Sequence, residues 1–578
     1  MPAAKKSPLA VATAPKTFAK PPTATADKPK AKTGAPTASS SKANQAPKLR
    51  DIFEKAGFQH VPSDGLHFTI GGRTGEIDHI FVWENVVLLC EETAGKDAAK
   101  HCTNKIFLHA KIKEHWLQFF QKYSQQNPEL PKALDPQYQV HDLEVRHIYY
   151  SEEIDVVGSI GDPSPMLILT RAQARYFRSL VDTIERSAKF ELLKYLGIAL
   201  HQIGQERIAG NAVPLQSYPA FALSAAHTSY PAGFAVVSFY ADPMALIQRA
   251  YVMRRDGWES PDLSYQRFVK ADKLVKMREY LAGNGKVFIN NIVVTLPPEA
   301  ILTDSAGKAL DAATMKHKVE AKLNLPLELG TVGIVDGQHR ILAYYEGVDP
   351  FDQTISGLRK RQNLLVTGIV FPANYTAEMR VKFEAEIFLG INNNQSPVHT
   401  QLRQDLETII NPETPLAIAR SVVSRLSKEG ALADLLQMSQ FDPSDKISSG
   451  SLGPYVVKPL VRKNSALYKT WDATGTRDLS LADDRAEFID YCVKELKRLL
   501  AGASGHLKSK WKSVPNGGVL STTVVGGLML LLDRLIKAGN TPSSIDYKAM
   551  LKNIDDFDFS AYTGSSWGKL SRDLEAAL

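Results

Sequence analysis

Thr331-Val-Gly-Ile-Val-Asp-Gly-Gln-His-Arg-Ile-Leu-Ala-Tyr-Tyr345 is the stretch whose reading decides the fold. Thr331 to Val335 are small or β-branched and predict a short buried strand. Asp336-Gly337 is a turn signal. Ile341, Leu342 and Tyr345 then recur at helical spacing, with Gly347 placed to end the helix. Asp336 to Arg340 therefore sit where a strand hands over to a helix N-terminus. Free backbone N–H groups and the positive end of the helix dipole gather at such a junction, which suits an anion. An acid, a Gly, a Gln, a His and an Arg crowded into that turn mark a ligand-binding or active centre rather than a connection.

Outward from this turn, composition sets the bounds. The chain has 578 residues, 44% hydrophobic and 23% charged, which fits a multidomain globular protein. Cys90, Cys102 and Cys492 form no CxxC pair, so neither a disulfide framework nor a structural zinc site is expected. A reducing cytoplasm fits. Net charge is +7 overall, but residues 1–50 carry nine Lys and one Arg against Asp27, a net of +9 that leaves the remainder at −2. The basicity is thus a tail. Residues 1–48 are Ala/Pro/Lys/Thr/Ser low complexity and predict a disordered basic segment, either a polyanion-binding arm or a solubilising leader. No signal peptide is expected, and the apolar run Gly517 to Leu532 is short for a bilayer span and predicts a buried helix.

Residues 49–204 predict a first α/β unit. Leu49 to Ala56 reads as a helix and His67 to Ile70 as a strand. Glu76 to Val82 and Val86 to Glu91 read as strands joined at Trp83-Glu-Asn85, and residues 97–122 as one long helix with Ile106, Ala110 and Leu117 on its apolar face. This order resembles the restriction-endonuclease-like PD-(D/E)xK fold. The resemblance implies that Asp78 and Glu91 hold Mg²⁺, with Glu54 and Glu76 as outer ligands, and that a lysine steadies the attacking water. The expected lysine place is Thr93. Lys96 or Lys100 on the following helix is then the candidate to supply the charge; the alternative is a nuclease fold that has lost catalysis.

Residues 215–400 predict a second α/β unit holding the opening turn, with strands over Phe234 to Tyr240, Val287 to Leu296 and Asn363 to Phe371, and helices over Pro243 to Met253 and Ala377 to Phe388. Asp336-Gly-Gln-His-Arg340, Tyr265-Gln-Arg267, Phe288-Ile-Asn-Asn-Ile292 and Ile391-Asn-Asn-Asn-Gln-Ser-Pro397 are similar to the signatures of the DGQHR-domain family, which includes DndB-like regulators of DNA phosphorothioation. Its core resembles the ParB/sulfiredoxin superfamily. The resemblance implies a phosphate or nucleotide triphosphate (ATP or CTP) site. Gly337 would permit close approach, Arg340 would fork onto phosphate oxygens, and Asp336 would cap the helix or hold metal. His339 would carry a proton and Gln338 would orient a water or base. Gln266, Arg267, Asn392, Asn394 and Gln395 are the candidate walls. An Asp336–Arg340 surface pair and a self-stabilised Asn-rich turn are the alternatives. Residues 401–578 predict a helical C-terminal region, including helices over Pro415 to Leu426, Ala431 to Met438 and Ala486 to Leu500.

These patterns predict a DNA-associated protein of a DNA-modification or anti-phage defence system, with a Mg-dependent nuclease-like module coupled to a nucleotide-sensing DGQHR module. Catalysis would rest on Asp78, Glu91, Lys96 and His339. The alternatives are a non-catalytic DNA-binding regulator, or a nucleotide hydrolase with a degenerate nuclease domain. DNA, other proteins of a modification or defence operon and a second copy of the chain are the expected partners, and a membrane is not.

Overall fold

In the computed structural model, residues 48–94, 97–151, 161–207, 213–252, 269–392, 400–438, 442 and 445–578 are described. The first sheet is built from β1 (Gln59–Val61), β4 (His79–Trp83), β5 (Val86–Thr93), β6 (Glu144–Ser151) and β7 (Met166–Leu169), in the order 1-4-5-6-7. β2 (Phe68–Ile70) and β3 (Arg73–Gly75) form a separate hairpin beside it. β1, β4 and β5 run antiparallel, while β5, β6 and β7 run parallel. The unbroken apolar run Val86 to Cys90 makes β5 the central strand, since both of its faces are buried. Its hairpin with β4 turns on Glu84, at φ +50°. Asn85 is fully buried there and donates to Asp142 O (2.7 Å) and Gln202 O (2.9 Å).

The second sheet has eight strands, β8 (Leu215–Ser224), β9 (Ala235–Ala241), β10 (Ala250–Tyr251), β11 (Ile292–Thr295), β12 (Ile301–Thr303), β13 (Val319–Pro326), β14 (Val332–Asp336) and β15 (Leu364–Val370). They lie in the order 10-14-11-15-9-8-13-12. β14 is interior, parallel to β10 and antiparallel to β11, which explains why Val332 to Val335 are all buried. The β11–β14 register shifts beside Asp336, a bulge of the kind that re-aims side chains at a strand end.

One apolar core joins the two sheets. It holds Phe53, Phe81 and Leu88 on one side and Val237, Ile292, Val332 and Tyr344 on the other, bridged by helices Arg171–Ile184 and Lys189–Tyr195. The C-terminal region is helical and has its own core, formed mainly by helices Pro415–Leu426, Ala482–Leu507, Thr522–Lys537 and Trp567–Ala577. The apolar run ending at Leu532 is the buried helix Thr522–Lys537, capped by Ser521. Among the described residues no helix is long and apolar enough to cross a membrane.

Several elements differ from expectation. The long helix over 97–122 breaks at His115 into Ala98–Glu114 and Trp116–Gln126, and Leu117 is exposed rather than packed. Residues 431–438 end a 3₁₀ turn and enter a short strand, Leu436–Gln437, paired with Ile447–Ser448. The strand predicted over 287–296 shortens to β11, and the helix after the opening turn covers only Gln338–Leu342.

Candidate functional site

Two constellations stand at the strand ends. In the first, Asp78 immediately precedes β4 and Glu91 lies in β5, whose neighbour Glu92 donates its backbone N–H to Asp78 Oδ2 at 2.8 Å. The cation comes from helix Ala98–Glu114. Lys105 Nζ lies 2.5 Å from Glu91 Oε2 and 3.8 Å from Asp78 Oδ1, and it donates to Glu76 O at 2.9 Å. The lysine of this site is therefore Lys105, while Lys96 lies outside the described residues and Lys100 is exposed. Glu54 is committed elsewhere, 3.0 Å from Arg50 Nε.

Lys105 belongs to a stripe. His101, Lys105 and His109 are four residues apart, so they fall on one helix face, turned toward the sheet. His101 Nδ1 is 3.0 Å from the Tyr149 hydroxyl. His109 Nε2 lies 2.7 Å from Glu91 Oε1, and its Nδ1 lies 2.8 Å from His147 Nδ1. Burial holds His109 down to about 3 and His147 well below the usual histidine range, so both rings are neutral. A neutral His109 that donates Nε2–H to Glu91 must accept at Nδ1, which assigns the proton of that contact to His147.

Burial raises the Asp78 carboxyl, and the nearby Glu91 charge raises it further. Burial also raises Glu91, against the pull of Lys105. Two carboxyls held near one another at a cost are what a divalent cation relieves, and Mg²⁺ takes one or two carboxylates and completes its shell with water. Asp78 and Glu91 thus fit Mg²⁺, which would supply charge neutralisation at a phosphate and an activated water. Among the described residues no group of three or more His, Cys, Asp or Glu is placed to hold a metal, so the protein share of such a shell is these two carboxylates.

The second constellation is the turn after β14. Gly337 adopts φ +103°, a conformation side chains resist, and a Cβ there would meet Ile292 Cγ1 at 3.0 Å and Arg340 Nη2 at 3.2 Å. Glycine is thus required by the fold of the turn itself. Arg340 Nη2 lies 2.7 Å from Asp336 Oδ2, so acid and base pair across one helical turn, and Gly337 rather than Asp336 is the N-cap. A five-residue helix carries little dipole; an anion at this turn would be held by Arg340 and not by the helix end. His339 Nε2 accepts the Lys270 backbone N–H at 3.4 Å. Burial, then Lys273 and Lys270, holds His339 down to about 4, so it is neutral near pH 7, in keeping with its Nε2 acting as an acceptor. Gln338 Oε1 and Asn291 Oδ1 are buried acceptors without a hydrogen-bond partner among the described residues. They suit a ligand that carries N–H donors. Asn392 ends helix Ala377–Asn392, and Gln266, Arg267, Asn394 and Gln395 lie outside the described residues.

The turn is clamped from behind. Arg278 is fully buried, grips Asp349 with two nitrogens (2.7 and 2.9 Å), donates to Tyr345 O at 2.7 Å and stacks 3.7 Å from the Tyr345 ring. Arg359 adds a 2.8 Å bond to Tyr345 O and a 2.6 Å ion pair with Asp352. The same loop meets the first module. Lys189 Nζ lies 2.7 Å from Glu346 Oε2, Arg186 N donates to Glu346 O at 3.1 Å, and Glu346 N donates to Ser187 Oγ at 2.8 Å.

Compared with protein families, curated proteins and solved structures, the chain finds no match in any of the three.

Proposed function

We propose that this chain is a DNA-associated protein of a DNA-modification or anti-phage defence system, in which a Mg-dependent phosphodiester-cleaving centre is coupled to a nucleotide- or phosphate-binding DGQHR turn. The observation that carries the reading is the convergence of Asp78, Glu91 and Lys105, with the ammonium 2.5 Å and 3.8 Å from the two carboxylates. Asp78 and Glu91 would hold the metal, and Lys105 would orient water or stabilise charge on the attacked phosphate. Arg340 would exchange part of its Asp336 contact for a phosphate, with Gln338 meeting a base edge. Two experiments test it. Plasmid cleavage should require Mg²⁺ and vanish in Asp78→Ala. Calorimetric titration with ATP and CTP should show binding that Arg340→Ala abolishes; an unchanged affinity removes the nucleotide role.

A second reading, a non-catalytic DNA-binding regulator, is favoured by the same lysine. An ammonium so close to Glu91 offsets one of the two carboxylate charges without a metal. No Mg-dependent cleavage by wild type or Asp78→Ala, with DNA binding retained, would select this reading.

A further inference from the structure

Helix Ala271–Asn284 sets Lys273, Lys276 and Tyr280 on one face at spacings of three and four residues. Together with Lys286, Phe288 and Asn290 they line a groove of ≈ 890 Å³. Its floor is aromatic: the Tyr280 and Phe288 rings stack at 5.9 Å with 20° between their planes. Phe288 sets its edge against Tyr344 at 6.2 Å. The Tyr344 hydroxyl donates to Gln362 Oε1 at 2.7 Å, and Gln362 Nε2 donates to Gly285 O at 2.9 Å, so both rims are tied to the floor. Tyr280 remains 44% exposed and offers its ring to solvent.

The rim is cationic. Lys273, Lys276 and Lys286 are exposed, and among the described residues none of them forms an ion pair. Lys360 and Arg361 are exposed just before the groove-lining Gln362 and Asn363. The acids of the helix, Asp272 and Glu279, do not line the groove. Unpaired cations beside a preformed aromatic stack combine phosphate contacts with a base-stacking platform, and side-chain amides beside them can meet base edges. A duplex hides its base faces, whereas an unpaired base exposes one. An acidic peptide would use the lysines and leave the rings idle. Lys270, the N-cap of this helix, donates its N–H to His339, so the helix that carries the lysines starts beside the DGQHR turn.

We propose that this groove binds single-stranded nucleic acid, with a base stacked on Tyr280 and neighbouring phosphates on Lys273, Lys276 and Lys286. The site needs no metal and no cleavage chemistry. The test uses the full chain in EDTA and follows the fluorescence anisotropy of labelled oligothymidylate and oligouridylate of about 12 nucleotides, a duplex of equal length, and poly-glutamate. The DNA and RNA arms tell the two sources of the ligand apart. Single strands should bind more tightly than the duplex. Tyr280→Ala should weaken them about tenfold, and Tyr280→Phe, which keeps the ring, should not. Replacing Lys273 and Lys276 by Ala should lower the salt-dependence slope by about 1.4. Thermal melts of each variant guard against misfolding. Any polyanion binding through the net +9 charge of residues 1–50 is independent of position 280, so the Tyr280-dependent part is decisive. Wild-type affinity in Tyr280→Ala, equal affinity for the duplex, or equal binding of poly-glutamate would overturn the proposal. Each readout is separate from cleavage, so loss of the nuclease reading leaves this one standing or falling alone.

Discussion

Lys105 reaches Glu91 and Asp78 from a helix, whereas the resemblance to the PD-(D/E)xK pattern places the lysine on the strand, two residues beyond Glu91. The acids were legible in the sequence because one immediately precedes a strand and the other lies near the end of the next. The lysine was not, because its signal is the four-residue stripe His101, Lys105, His109 on a helix otherwise read for its apolar face. At this scale acidity is the first lever. The folded state holds His109, His147 and His339 below the ordinary value of 6.5. A histidine depressed by folding adds stability that is fully present above that value and is lost as pH falls toward the folded pKa. The melting temperature should therefore drop as pH is lowered from about 7 to about 5, and His339→Gln, which cannot charge, should flatten part of that slope. A slope unchanged in His339→Gln would remove this histidine from the account. Gly337→Ala should cost about 1–2 kcal/mol in urea unfolding, from its left-handed backbone and its crowding of Ile292. Neutral behaviour would mean that the turn relaxes.

Elements defined by long patterns were readable, and those defined by pairing were not. Buried β14 and the helix Thr522–Lys537 followed from unbroken apolar runs. β13, Val-Glu-Ala-Lys-Leu-Asn-Leu-Pro, has one β-branched residue and buries alternate positions only once it pairs with β8. The helix after the opening turn tightens to three-residue hydrogen bonds at Tyr344 and Tyr345, and Arg278 and Arg359 take the carbonyls just beyond its end. Arg278→Met should leave Asp349 partly buried and unpaired and destabilise by about 3 kcal/mol. It should also weaken ligand binding at Arg340, although Arg278 lies behind the turn. Calorimetry with nucleotide checks the second effect, and intact binding in a folded variant would show that the clamp serves stability alone.

Across the whole molecule, the shared core and the Lys189–Glu346 pair make the two sheets one mechanical body, whereas the C-terminal helices keep a separate core. Urea unfolding should show two transitions, with Trp83 and Trp116 reporting one and Trp471, Trp511 and Trp567 the other; a single coincident transition would contradict this division. The union of the sheets was hidden in the sequence, where a connector near Gly204 reads as a boundary while the helices before it supply the joint apolar surface. We propose above all that Asp78, Glu91 and Lys105 form a working phosphodiester centre. Its most direct test is Mg-dependent plasmid cleavage by wild type, Lys105→Met, and Lys105→Met combined with Thr93→Lys. Wild type should cleave, Lys105→Met should lose at least about 100-fold, and supplying the strand lysine should restore part of the activity. No cleavage by wild type, or equal cleavage by wild type and Lys105→Met, would contradict it.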